Sequence, residues 1–130
     1  MGKFTDEFTV EFKMDLLVTG QDIEDIMCTA LDGGITHWCS SVEVIESACI
    51  GYASEQLRYD GKLKLFDAES DDTWVLTRDM LLNGIKLWAE FGGDPCNAIC
   101  GNGTLDTSEI DANIADMIVQ YALFGEVVFG

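Results

Sequence analysis

Positive charge is scarce in this sequence. Seven Lys plus Arg stand against 24 Asp plus Glu, for a formal net charge of −17. From Leu87 onward there is no basic residue, while Glu90, Asp94, Asp106, Glu109, Asp111, Asp116 and Glu126 all fall there. A chain so charged repels nucleic-acid phosphates and anionic membranes, so neither is an expected direct partner. Long apolar runs are missing too: no stretch approaches the ~18 uninterrupted apolar residues of a spanning helix. The opening Met-Gly-Lys-Phe-Thr-Asp-Glu has no apolar core of the signal-peptide kind, and Asp6 stands where N-myristoylation wants Ser or Thr.

Catalytic vocabulary is equally thin. His37 is the only histidine, so it is the one side chain poised to exchange protons near neutral pH, and a single His beside Trp38 reads as structural. No Ser lies in a nucleophile-elbow context, no Gly-rich phosphate cradle follows a strand, and no carboxylate pair has a motif around it. No catalytic residue, enzyme activity or cofactor is expected. The cysteines, Cys28, Cys39, Cys49, Cys96 and Cys100, are odd in number. In a chain long enough to fold without staples they read as reduced thiols in a cytosol.

What is present is a globular composition, 48% apolar and 24% charged, over a length that suits one domain spanning residues 1–130. Phe8, Val10, Phe12, Met14 and Leu16 alternate with polar residues, the period of a half-buried strand of about ten residues. Thr19 with Asp22 reads as a helix cap, followed by Ile23, Ile26, Met27, Ala30 and Leu31 on one helical face and a stop at Gly33-Gly34. Segments at 41–46, 52–59, 62–66 and 73–76, separated by Asp60-Gly61 and the acidic stretch 69–72, read as a meander of short strands. Thr77 caps a second helix to Phe91 with two apolar stripes, one of them Met80, Leu87 and Phe91, which points to a homodimer or a partner-bound state. The third helix, capped at Asp106 or Thr107, runs to Phe124 with one polar stripe of Glu109, Asn113, Asp116 and Gln120, and Val127–Phe129 is placed as an edge strand. The expected fold is α+β, a small antiparallel sheet of four or five strands packed with three helices.

Two metal patterns are weak. From Gly101 to Glu109 the chain resembles the second half of an EF-hand loop, but Ala98 and Cys100 occupy ligand positions that need oxygen. Cys96 and Cys100 with His37 and Cys39 lack the tight spacing of zinc knuckles. No metal is expected. The preferred reading of 101–109 is a Gly-rich turn into a capped helix.

The stretches Asp22–Cys39, Gly61–Asp67 and Ala122–Gly130 resemble a family of small acidic proteins carried by phages and integrative elements of Gram-positive gut bacteria, over most of the chain. The resemblance implies no catalytic residue. It implies a setting in which small acidic accessory proteins are often inhibitors of host defence, anti-CRISPR proteins among them, with the Cys96–Cys100 loop and the acidic faces as contacts.

Three functions remain. The first is a phage or mobile-element inhibitor that binds a host nucleic-acid enzyme, such as a CRISPR nuclease complex, by nucleic-acid mimicry. DNA carries one charge per ~1.7 Å of axis, and the carboxylates placed to imitate it are Glu24, Asp25, Asp32, Glu69, Asp71, Asp72, Glu109 and Asp116. The second is a sponge for a nucleotide immune signal, in a pocket of Trp38, Tyr52, Tyr59 and Trp88 with Arg58, Lys62 and Lys64 on the phosphates. The third is an acidic accessory protein whose charge serves only solubility.

Overall fold

The alternation that begins at Phe8 builds two strands. In the computed structural model, which describes residues 6–11, 15–92 and 98–130, β1 (Glu7–Glu11) pairs antiparallel with β2 (Asp15–Thr19), from Glu7 opposite Thr19 to Glu11 opposite Asp15. The expected single strand is thereby corrected: its two halves satisfy each other's backbone groups, and its Phe12 and Met14 lie outside the described residues. The apolar period holds, with Val10, Leu16 and Val18 buried.

Helix α1 (Gly20–Thr29) starts where the sequence places it. Thr19 Oγ1 accepts from the Asp22 amide at 3.1 Å and Asp22 accepts from the Thr19 amide at 3.0 Å, a reciprocal capping box. The chain then widens into a π turn (Ala30–Gly34). At Gly34 a Cβ would meet the Ala112 carbonyl oxygen at 2.8 Å, so a hydrogen side chain lets this turn touch the start of the last helix.

The second sheet has the order β3-β4-β5, all antiparallel, from β3 (Cys39–Glu46), β4 (Lys62–Asp67) and β5 (Thr73–Leu76). Leu63 and Leu65 of β4 are buried and Lys62 and Lys64 point to the other face. The segment expected as a strand at 52–59 is helical instead: α2 (Ala53–Gln56) followed by a 3-10 turn (Leu57–Tyr59). Ala53, Glu55, Gln56 and Leu57 have good intrinsic helix propensity, and Glu55 accepts from the Tyr52 amide at 2.6 Å.

Helix α3 (Arg78–Phe91) is capped by Thr77, whose Oγ1 accepts from the Met80 amide. It crosses α4 (Ala112–Phe124) closely: a Cβ on Gly84 would stand 2.4 Å from the Ile118 carbonyl oxygen and 2.8 Å from the Ala122 Cβ. Leu81, Ile85, Trp88 and Ala89 are buried there, Met80 and Leu87 are half-buried against the same core, and Phe91 is exposed.

Helix α4 begins later than expected. Asp106 caps a separate 3-10 turn (Thr107–Glu109), buried Ile110 intervenes in an extended conformation, and Asp111 caps α4 by accepting from the Ile114 amide at 2.9 Å. Residues 127–129 form no strand. Among the described residues the architecture is therefore α+β with sheets of two and three strands and four α-helices, one of them a single turn, rather than one sheet with three helices.

Candidate partner-binding surface

The few cations come first, because they decide which carboxylates remain unneutralised. Arg58 is gripped by Asp6 through two hydrogen bonds, of 3.1 and 2.9 Å, and also meets Gln21 at 3.2 Å and Glu24 at 3.4 Å. These bonds hold its pKa above the ordinary arginine value, so it stays a cation. Its guanidinium lies 5.4 Å from the Tyr59 ring centre. Arg78 sits 4.5 Å over the Phe8 ring, with Asp60 at 4.0 Å. Lys62 pairs with Glu46 at 3.3 Å, and Lys64 lies 5.4 Å from the Phe66 ring centre.

The seven residues considered for a nucleotide pocket are accordingly dispersed. Trp88 is 1% exposed in the core and Trp38 is 3% exposed, whereas Tyr52 is 82% exposed beside α1. Arg58 and Tyr59 are neighbours, but Lys62 and Lys64 lie on the outer face of the three-stranded sheet.

The eight carboxylates considered for mimicry divide into three groups. Glu24 is half-buried against Arg58, and Asp25 accepts from the Thr107 hydroxyl at 2.8 Å and the Gln21 amide at 2.9 Å. Asp32 and Glu109 are exposed, as are Glu69, Asp71 and Asp72 at the β4–β5 turn. The turn is self-supporting. Asp67 accepts from the Glu69 amide at 3.0 Å and the Ser70 hydroxyl at 2.7 Å, Ser70 Oγ accepts from the Asp72 amide at 3.1 Å, and the Asp67 amide donates to the Asp72 carbonyl at 3.0 Å. The Glu69 amide and the Ser70 hydroxyl hold the Asp67 carboxyl below its usual pKa. Among the described residues, the Lys and Arg ion pairs use Asp6, Glu24, Glu46 and Asp60, and none uses the carboxylates of this turn.

Asp116 forms the third group and corrects the polar stripe assigned to the last helix. Only Glu109 and Asn113 of that stripe are exposed; Asp116 is 9% exposed and Gln120 is fully buried. Asp116 Oδ1 accepts from Trp38 Nε1 at 2.7 Å and Gln120 Nε2 at 2.9 Å, and His37 Nε2 lies 3.5 Å from Oδ2. Gln120 Oε1 in turn accepts from the Val128 and Phe129 amides, both at 2.7 Å. Phe129 is thereby laid flat on Trp38, with ring centres 5.0 Å apart and planes 5° from parallel, and Trp74 and Phe124 pack edge-on around the pair. Next to this cluster His37, Trp38, Asp67, Glu69, Phe129 and Gly130 line a cleft of about 200 Å³. Sequence reading missed this network. Its available signal was two polar residues spaced i, i+4 in the otherwise apolar stretch from Ile114 to Phe124.

Of the metal patterns, Cys96 lies outside the described residues. Among the described residues no three His, Cys, Asp or Glu side chains gather as a metal site. The 101–109 segment closes on itself: Asn102 Oδ1 accepts from the Thr104 amide and hydroxyl, and Gly103 takes a positive φ of 83°. No helix among the described residues is long and apolar enough to cross a membrane. The molecule is thus an α+β domain whose described cations, Lys64 and Lys86 apart, are paired with its own carboxylates, and which carries three exposed carboxylates close together at the hydrogen-bonded β4–β5 turn. Comparison with family models, curated proteins and solved structures finds no match.

Proposed function

We propose that the chain acts by stoichiometric binding, presenting its acidic surface to the basic groove of a host nucleic-acid enzyme, such as a CRISPR nuclease complex, as an inhibitor of host defence carried by a mobile element. The observation that carries this reading is the β4–β5 turn. Glu69, Asp71 and Asp72 are exposed on a turn whose backbone is braced by hydrogen bonds that Asp67 and Ser70 make, with no Lys or Arg of the described residues paired to them. A fixed cluster of like charge steers a basic partner and loses little entropy on docking. The resemblance to mobile-element proteins supports the choice of partner class. The internal pairing of Arg58 and Lys62 leaves the nucleotide-sponge alternative with less cationic surface to hold phosphates.

The test is binding of a purified CRISPR nuclease complex to the immobilised chain by interferometry. Affinity is expected to fall steeply as salt rises from about 50 to about 300 mM, because exposed charge pairs are screened over ~8 Å at physiological ionic strength. Double-stranded DNA is expected to compete. Affinity that is flat with salt and indifferent to DNA overturns mimicry, and a nucleotide that co-purifies with the chain favours the sponge.

A further inference from the structure

Away from the acidic turn, a groove of about 390 Å³ opens between α1 and α2, lined by Cys28, Leu31, Asp32, Tyr52, Ala53 and Ser54. We infer that this groove is the apolar anchor site of the interface, taking a leucine-like or aromatic side chain from a basic segment of the partner while Asp32 meets a neighbouring Lys or Arg. The inference rests on the reading of the partner as basic and adds where its apolar contact is made.

The bordering loop supports it. Ile50 is fully exposed and Tyr52 is 82% exposed. Large side chains in water on a flexible loop would carry little meaning, but this loop is fixed. Gln56, 1% exposed, accepts from the Ala48 amide at 2.9 Å and donates to the Cys49 and Gly51 carbonyls at 3.1 and 3.4 Å. Ser47 bonds the Cys49 carbonyl at 2.9 Å, and Glu55 holds the Tyr52 amide at 2.6 Å. A buried glutamine thus orders a loop whose two largest apolar side chains gain nothing from the fold. The ordering entropy is already lost before a partner arrives, which favours binding. Exposed apolar clusters mark interaction sites, and Tyr is enriched among the residues that dominate interface energy.

Charge selects the occupant. Asp32 is the one charged side chain lining the groove, it is exposed, and no Lys or Arg of the described residues pairs with it. A second copy carrying the same net charge of −17 is repelled. A cationic segment with an apolar side chain satisfies both the groove and its rim.

The experiment uses two synthetic peptides of equal charge, one alternating Lys with Leu and the other alternating Lys with Ser, titrated into isotope-labelled chain and followed by amide chemical shifts. The Leu peptide is expected to bind about tenfold tighter, the order of effect for burying one leucine side chain, with its largest shifts at Cys28, Leu31, Tyr52 and Ala53. Ile50→Ser combined with Tyr52→Ala is expected to reduce the Leu peptide to the affinity of the Ser peptide without lowering the melting temperature. Equal affinities, with shifts confined to 67–72, overturn the anchor site and leave the electrostatic reading standing. Failure of both peptides to bind overturns both. Groove shifts that change on dilution without peptide, together with a doubled mass by light scattering, overturn the inference in favour of a second copy.

Discussion

Asp116 accepts from the Trp38 indole N–H and the Gln120 amide, whereas Glu69, Asp71 and Asp72 are exposed on a turn where no Lys or Arg of the described residues pairs with them. Both sets belong to the same acidic excess, and they work in opposite ways. A carboxylate taken out of water is stable only where donors replace its hydration, and it then fixes whatever supplies those donors. Asp116 fixes an indole and, through Gln120, the backbone at 128–129. The turn carboxylates fix nothing, and their charge is available to a partner. Net charge therefore says little about which carboxylates bind; the distribution of donors says more.

The largest expected effect breaks the inner half of that contrast. Asp116→Ala leaves Trp38 Nε1 without its acceptor and Gln120 Nε2 with the Phe129 carbonyl alone, and is expected to cost about 3 kcal/mol by denaturant unfolding followed through tryptophan fluorescence. Asp116→Asn keeps an acceptor oxygen and is expected to cost less. A loss below about 0.5 kcal/mol for the alanine variant would mean the network is idle and the contrast false.

The outer half is sharpened by the triple variant Glu69→Gln, Asp71→Asn, Asp72→Asn, which leaves Asp67 and Ser70 to hold the turn. Stability is expected to change by no more than about 0.5 kcal/mol, as for exposed charges in general. Binding to the nuclease complex is expected to weaken, with a shallower dependence on salt. A stability loss above about 1 kcal/mol would make the turn carboxylates structural.

The sequence made some of this legible and hid the rest for physical reasons. Local chemistry was readable: the Thr19–Asp22 box, the Thr77 cap and the end of the last helix at Phe124, after which Gly125 takes a positive φ of 75°, depend on residues a turn apart. The hairpin of β1 and β2 was hidden because both halves carry the same period of two, so the alternation alone does not mark where the chain returns. Residues 52–59 were misread because Tyr52 and Tyr59 suggest a strand while the residues between them favour a helix. Asp116 was misplaced because its donor, Trp38, is 78 residues away, and a polar residue on a helix is assigned to solvent until such a partner is seen. The exposed carboxylates of the turn were legible from their crowding between two apolar runs, but the groove beside Tyr52 was not, because it needs α1 and α2 side by side.

The smallest effect concerns pH and separates two carboxyl groups that the structure shifts in opposite directions. Burial is the main reason the Asp22 pKa lies above its ordinary value of 3.8; the Thr19 bonds oppose the shift and nearby Asp25 adds to it. The folded chain therefore holds this proton more tightly than the unfolded chain does. Its contribution to stability is fully present below 3.8 and is lost as pH rises through the folded value. Asp67 is the reverse: its pKa is lowered from 3.8 by the Glu69 amide and then the Ser70 hydroxyl, so its contribution is present above 3.8 and lost as pH falls through the folded value. Urea midpoints measured from about pH 2.5 to about pH 6 isolate each group when wild type is compared with Asp22→Asn and with Asp67→Asn. Micromolar protein in urea limits precipitation near the isoelectric point of about 4.1. Relative to wild type, Asp22→Asn is expected to gain as pH rises across the window, and Asp67→Asn to fall behind. Differences that run in the same direction would mean that burial at the α1 cap does not outweigh its hydrogen bonds, and that Asp22 and Asp67 are not shifted in opposite directions.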